Sequence, residues 1–240
     1  MEHRRLGRTG LRVSSVGLGT MTWGRDTDEL EAKEQLDIFL DAGGTLVDTA
    51  ASYGEGVSEE VIGTLLREHV DRQDLVLVSK AGVRTWRTGE RSSVADASRG
   101  SLLDTLDISL SRLGTDHLDL LLVQVPDSTT SLEETAHALS LAVSSGRTRY
   151  VGIANHPAWA SVRMYDLLSE GGRGPGLAAV EVEHSLLSRG IERELMPASQ
   201  ALGFGILSYA PLGRGVLTGK YRATIPPDSR AASPHLRSYV

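Results

Sequence analysis

The chain has 240 residues, 40% of them hydrophobic and 23% charged, with a net charge of −6 and a mean hydropathy of −0.14. That balance suits a globular chain with one large core. The acidic excess argues against nucleic acid as the main partner, and no apolar run reaches the length of a membrane span. With no cysteine, disulfides and thiolate metal ligands are excluded, and the polar, glycine-punctuated N-terminus carries no apolar leader core; the expected address is cytoplasmic.

In chain order, residues 1–14 predict a short hairpin, Arg4-Arg5-Leu6 and Leu11-Arg12-Val13 around the turn Gly7-Arg8-Thr9-Gly10. Seven β-type runs follow: Val16–Gly19, Thr45–Asp48, Leu75–Val78, Leu118–Val125, Tyr150–Ile153, Ala178–Val182 and Gly205–Tyr209. Flanked by Gly, Asp and Pro, such runs suit strands buried on both faces of a parallel sheet. Between them lie helical periods: Leu103, Leu106, Leu110 and Leu113 share one face, as do Leu132, Ala136, Leu139 and Val143. Asp28 with Glu31, and Ser131 with Glu134, have the form of a capping box, while Gly43-Gly44 and Gly146 stand where helices end. Strand–helix alternation of this kind means parallel βα units, in a doubly wound sheet or a closed barrel. The length and seven candidate strands favour a (β/α)8-type barrel in one domain, 1–240, with the hairpin over its bottom, a loop-like tail at 221–240 and the eighth strand missing. A strand set one short leaves two sheet edges open, so the expectation is that the sequence is part of a longer protein, or that another chain closes the gap.

Polar residues interrupt the apolar runs at their ends: Asp48 with Tyr53 five residues later, Lys80, Gln124, Asn155, Glu181 with Glu183 and His184, and Ser208-Tyr209. In a barrel the carboxyl ends of all strands open on one face, so these side chains converge on a single mouth. Their chemistry is coherent. A free tyrosine has a pKa near ~10; a lysine ammonium favours its phenolate, and an aspartate keeps the lysine charged and aimed. The result is a phenol that can protonate a developing alkoxide. No side chain donates hydride, so a nicotinamide is the expected source.

Asp48-Thr49-Ala50, Tyr53-Gly54 and Ser58-Glu59 resemble the DTAxxYGxGxSE signature of the aldo-keto reductases. The likeness runs from Arg5-Leu6-Gly7 through Pro211–Lys220 to Ser229-Arg230, and looks closest to the bacterial branch that includes relatives of potassium-channel β-subunits. The resemblance implies a TIM barrel, an NADP(H) cofactor bound without a Rossmann fold, and reduction of a small-molecule aldehyde or ketone. It makes Asp48, Tyr53, Lys80 and Gln124 the catalytic group, with Tyr53 as proton donor. Asn155, Glu181 and His184 fall at its nicotinamide positions, with Asn155 on the carboxamide. Ser208, Tyr209, Pro211, Leu212, Gly213, Arg214 and Gly215 fall along its pyrophosphate. Four positions depart from the family: Gln124 replaces a histidine, Ala154 a serine, Glu181 a glutamine and His184 a tyrosine. A second reading therefore stands beside the first, a barrel that keeps the scaffold as a cofactor-binding or regulatory module, or as a non-redox enzyme.

Plainer roles compete for other residues. Glu181 and Glu183 share one face of a strand and His184 takes the other, which disfavours a metal site. Trp23 and Trp86 are candidates for pocket lining or for packing. His69, His117 and His137 read as surface or capping residues, and Arg4, Arg5, Arg8 and Arg12 as a solvated hairpin face. Oligomeric state stays open.

Overall fold

A computed structural model describes residues 1–86, 92–169, 174–227, 229–233 and 236–237. It opens with an antiparallel hairpin, β1 (His3–Arg5) and β2 (Arg12–Ser14). Three parallel strands follow, β3 (Leu18–Gly19), β4 (Leu46–Asp48) and β5 (Val76–Ala81). A second antiparallel hairpin comes next, β6 (Val83–Trp86) with β7 (Ser92–Ala95), an excursion absent from the sequence expectation. Four more strands then complete the parallel sheet: β8 (Leu118–Val123), β9 (Thr148–Ala154), β10 (Ala179–Glu183) and β11 (Gly205–Tyr209). The seven lie side by side in chain order, with β3 and β11 at the two ends. Helices α1 (Glu29–Asp41), α2 (Val57–Glu68), α3 (Arg99–Leu113), α4 (Leu132–Ser144), α5 (Ala158–Ser169) and α6 (Leu195–Leu202) make the six crossovers. This is the seven-strand βα architecture of a TIM-type barrel short of one strand, as the sequence predicts. The seam lies between β3 and β11. Val16, expected within the first strand, is 58% exposed there, and the strand itself shortens to Leu18–Gly19.

Alternation along each strand decides what faces inward. Val47, Leu77, Leu121, Val151 and Val180 pack outward against the helices, beside Leu106, Leu139 and Met164. Leu46, Val78, Leu120, Leu122 and Ala179 point to the interior, where Leu6 and Val13 of the hairpin join them. The hairpin is pinned at the N-terminal ends of the strands: Ser14 Oγ accepts from the Thr45 and Leu46 backbone N–H groups, and Arg8 N donates to Gly203 O. It covers the bottom of the barrel interior with side chains that would otherwise meet water, which leaves the opposite face for chemistry.

Helix starts follow the predicted caps, with one arm of each box made. Asp28 accepts from Glu31 N and Ser131 from Glu134 N, but Glu134 Oε1 turns to Arg99 N of the neighbouring helix. Gly43 and Gly146 both take positive φ, as C-terminal caps require. The Trp86 side chain lies outside the described residues, as do 238–240 of the tail. Trp23 is core: it is 1% exposed and donates from Nε1 to Gln35 Oε1.

Candidate active site

The site begins where inward positions run out of apolar residues. Asp48, Lys80 and Glu181 occupy the interior positions two residues beyond Leu46, Val78 and Ala179 on three strands, at their carboxyl ends. Lys80 is the hub. Its Nζ, on a side chain 2% exposed, lies 2.6 and 2.7 Å from the two Asp48 oxygens, 3.1 Å from Thr49 O, 3.4 Å from Tyr53 Oη and 3.4 Å from Glu181 Oε1. Burial alone would depress the ammonium, but Asp48 and then Glu181 outweigh it, so Lys80 is raised and stays charged.

Tyr53 differs from its expectation. Burial is the largest influence and pushes the phenol up to about 12; Lys80 pulls it down, while Asp48 and Glu181 push it up again. The lysine acts in the expected direction and is outweighed. Glu181 is also raised, to about 8, first by burial and then by Asp48, with Lys80 opposing.

What aims Tyr53 is a turn with three positive φ values in a row: Gly54 (58°), Glu55 (60°) and Gly56 (102°). A β-carbon on Gly56 would meet the Arg112 guanidinium carbon at 2.1 Å. That guanidinium, at the end of α3, reaches Ala51 O (3.5 Å), Glu55 O (3.3 Å) and Glu59 Oε2 (3.2 Å). Glu59 is fully buried, and its other oxygen accepts from Ser79, the neighbour of Lys80. Ser58 is buried too, bonded to the Thr20 and Thr49 hydroxyls at 2.8 and 2.9 Å. The Ser-Glu pair of the motif therefore braces β3, β4, β5 and α3 rather than touching the mouth.

The nicotinamide-position residues fall into linked pairs. Gln124 Oε1 accepts from Ser52 Oγ, beside Tyr53, at 2.9 Å. Asn155, at φ 62°, donates from Nδ2 to Gln124 O and accepts from Tyr209 Oη at 2.8 Å. The loop after Gln124 is held by Asp127, which accepts from Ala97 N and from the Thr129 and Thr130 groups. Burial works against that charge, yet these donors hold Asp127 well below the usual carboxylate range. The three candidate metal ligands diverge: Glu181 faces Lys80, Glu183 pairs with Arg214 at 2.7 Å, and His184 pairs with Glu192 at 3.0 Å. Among the described residues, His184 joins the group through its backbone N–H, on Tyr209 O.

A cavity of about 580 Å³ runs along the seam, with Asp48 and Glu181 on its wall together with Ser208, Tyr209, Ala210 and Pro211. Beyond it the backbone folds into a tight turn over Gly213–Thr218, with positive φ at Gly213, Arg214 and Gly215, and the N–H groups of Gly213 and Gly215 donate inward to Ala210 O and Leu212 O. Leu212 at its start is 57% exposed. Asp48 thus joins the buried Lys–Asp–Tyr group to this cavity, and residues 15–239 of the chain match the aldo/keto reductase family model.

The chain belongs to the aldo/keto reductase family. It is 34% identical to a probable voltage-gated potassium channel subunit beta of Oryza sativa subsp. japonica, over 97% of this chain and 70% of that protein. It is 36% identical to the L-glyceraldehyde 3-phosphate reductase of Escherichia coli K12, over 96% of this chain and 67% of that one. Protein tas of the same organism is 33% identical, with 92% of this chain and 71% of tas aligned. Membership supports an oxidoreductase acting on carbonyl compounds. Among the described residues no helix of this reductase-family barrel is long and apolar enough to cross a membrane.

Sequence reasoning missed Arg112, Ser52 and the buried roles of Thr20, Thr49, Ser58 and Glu59. Arginine near a helix C-terminus is common for its favourable dipole, so nothing local marks Arg112 as a brace.

Proposed function

We propose that the protein reduces an aldehyde or ketone to an alcohol with NADP(H), using Tyr53 as proton donor. The observation that carries this reading is the Lys80 hub, one buried ammonium held by both oxygens of Asp48 and within 3.4 Å of the Tyr53 hydroxyl. The residues present suit a nicotinamide: Glu181 Oε2 is a buried polar atom with no partner, on a residue of the cavity wall that also includes Tyr209, Ala210 and Pro211. Asn155, Glu181 and Tyr209 would hold the ring, and the segment Ser208 to Gly215 the phosphates. When bound, the cofactor supplies hydride.

The chain's own residues do the rest. Tyr53 hands its proton to the carbonyl oxygen as negative charge grows there. Lys80 then faces the phenolate left behind, and Asp48 keeps Lys80 charged and pointed. Gln124, with Oε1 on Ser52, offers its Nε2 as a hydrogen-bond donor to the same oxygen, a role that needs no titration. The absence of cysteine is consistent with a cytoplasmic setting.

The test is NADPH oxidation with a panel of simple aldehydes. Tyr53→Phe should lower kcat by roughly 10²–10⁴ while NADPH still binds by fluorescence titration. Equal turnover in both proteins refutes the assignment. A second reading, a cofactor-binding module without turnover, is favoured by Asn155 and Arg214, which are already engaged by Gln124, Tyr209 and Glu183. NADPH binding with no oxidation across the panel selects it.

A further inference from the structure

Lys80 has three N–H bonds to give, and Asp48, the Thr49 carbonyl and the Tyr53 hydroxyl all stand in hydrogen-bonding geometry to them. Glu181 Oε1 lies 3.4 Å from Nζ, outside that set. Its second oxygen, Oε2, is buried without any partner, on a residue 6% exposed that lines the seam cavity. A buried carboxylate oxygen denied a donor is costly, and two carboxylates beside one ammonium leave the pocket with a negative excess. One proton removes both difficulties.

The groups facing Glu181 agree on where that proton belongs. Asp48 on β4 is nearer to Lys80 and takes both its oxygens to it. Lys80 on β5 is held by that aspartate, and Tyr53 after β4 is held by Lys80. β9 presents Ala154 beside Glu181 in register, with nothing to titrate, and β11 presents Leu207 in register, then Tyr209 on the cavity wall. Glu183 is paired outward with Arg214. Glu181 reaches Lys80 and Asp48 through Oε1, and its Oε2 is left without a partner.

We infer that Glu181 works as a neutral carboxylic acid whose unpartnered Oε2 is the hydrogen-bonding contact for an amide or carbonyl group of the bound ligand, so that ligand binding is linked to a single proton. If the ligand is the proposed NADP(H), on which reading this inference rests, that group is the carboxamide of the nicotinamide. An amide side chain offers a donor and an acceptor; a protonated carboxyl offers the same pair, whereas a carboxylate offers acceptors only. The raised carboxyl, at about 8, places the switch just above neutral pH.

NADPH is the probe, followed by its fluorescence from pH 6 to pH 9 in the wild type, Glu181→Gln and Glu181→Met. The cofactor's own phosphates titrate equally in all three, so the comparison isolates Glu181. Wild-type affinity should fall about tenfold between pH 7 and pH 9 relative to Glu181→Gln. Glu181→Met should bind more weakly than Glu181→Gln throughout. Infrared difference spectra of ligand-free wild type minus Glu181→Gln should show a protonated-carboxyl stretch at pH 7 that is gone at pH 9. Parallel pH curves in wild type and Glu181→Gln, or no such stretch at pH 7, overturn the inference and leave the cofactor assignment standing. No NADPH binding at any pH removes the cofactor assignment and this inference with it.

Discussion

Arg112→Ala should separate the stability of the barrel from the aim of its tyrosine. Arg112 sits outside the mouth, yet its guanidinium holds two carbonyls of the Tyr53 loop, Ala51 and Glu55, and the carboxylate of Glu59. Glu59 is fully buried and would keep Ser79 Oγ as its donor, while Arg112 is 26% exposed. Stranding one member of a buried ion pair costs about 3–5 kcal/mol. The exposure of Arg112 lowers that to about 2–3 kcal/mol here, or about 4–12 °C in Tm for a chain this size.

Catalysis should suffer by a different route. A loop that loses two anchors lets the Tyr53 hydroxyl drift, and misplacement by about 1 Å can cost on the order of 100-fold in rate. The assay is a pair of measurements, chemical denaturation and steady-state kinetics, on Arg112→Ala and on Arg112→Ala/Glu59→Gln. The double variant strands no charge, so it should regain most of the lost stability. It should keep the kcat defect, because the carbonyls of Ala51 and Glu55 are still unheld. A single variant within about 0.5 kcal/mol of wild type, or a double variant with wild-type kcat, refutes the reasoning.

Ser58→Ala removes a hydroxyl bonded to Thr20 and Thr49 in a buried cluster, and should cost about 1–3 kcal/mol by denaturation with little change in KM; wild-type stability would show the cluster to be incidental. Folding stability should also depend on pH through Glu181. Its carboxyl is raised to about 8 in the fold from 4.5, so the folded chain binds a proton that the unfolded chain has released. The associated stability is full below about pH 4.5, declines by up to about 1.4 kcal/mol per pH unit, and is gone above about pH 8. Glu181→Gln should therefore gain on the wild type as pH rises from 5 to 8, and parallel stability profiles would contradict this. A fourth expectation is kinetic: wild-type kcat should decline above about pH 8 while that of Glu181→Gln stays flat, and a shared decline would assign the limb to another group.

Most of the fold was legible because a parallel barrel writes its strands as runs buried on both faces. All seven runs are strands within three residues of their expected lengths, and the one reduced to two residues, Val16–Gly19, lies at the open seam where no second neighbour enforces burial. The Asp48–Lys80–Tyr53 group was legible for a similar reason: a charged residue that ends an apolar run sits at the rim of the core, where its desolvation has to be offset by a partner. The β6–β7 hairpin was not, because Ser92–Ala95 carries neither alternation nor a turn signal. Tyr53's protonation behaviour was misjudged from sequence because the expectation gave the aspartate only the task of holding the lysine and left burial of the phenol out. Burial is a property of the assembled mouth, and together with the charge of Asp48 it outweighs the ammonium.

That imbalance bears on how the proton moves. A phenol pushed up to about 12 keeps its proton against water, but an alkoxide is far more basic still, so transfer to a reduced carbonyl runs downhill. The phenolate left behind stands 3.4 Å from the Lys80 ammonium, an attraction of about 5 kcal/mol at an effective dielectric of about 20. Since that attraction exists only once the proton has gone, it stabilises the transition state more than the ground state. Asp48 already offsets part of it. An ionised Glu181, 3.4 Å from the same ammonium, would offset more. The proton on Glu181 thus serves two ends at once: it supplies the donor that a ligand amide needs, and it spares Lys80 for Tyr53.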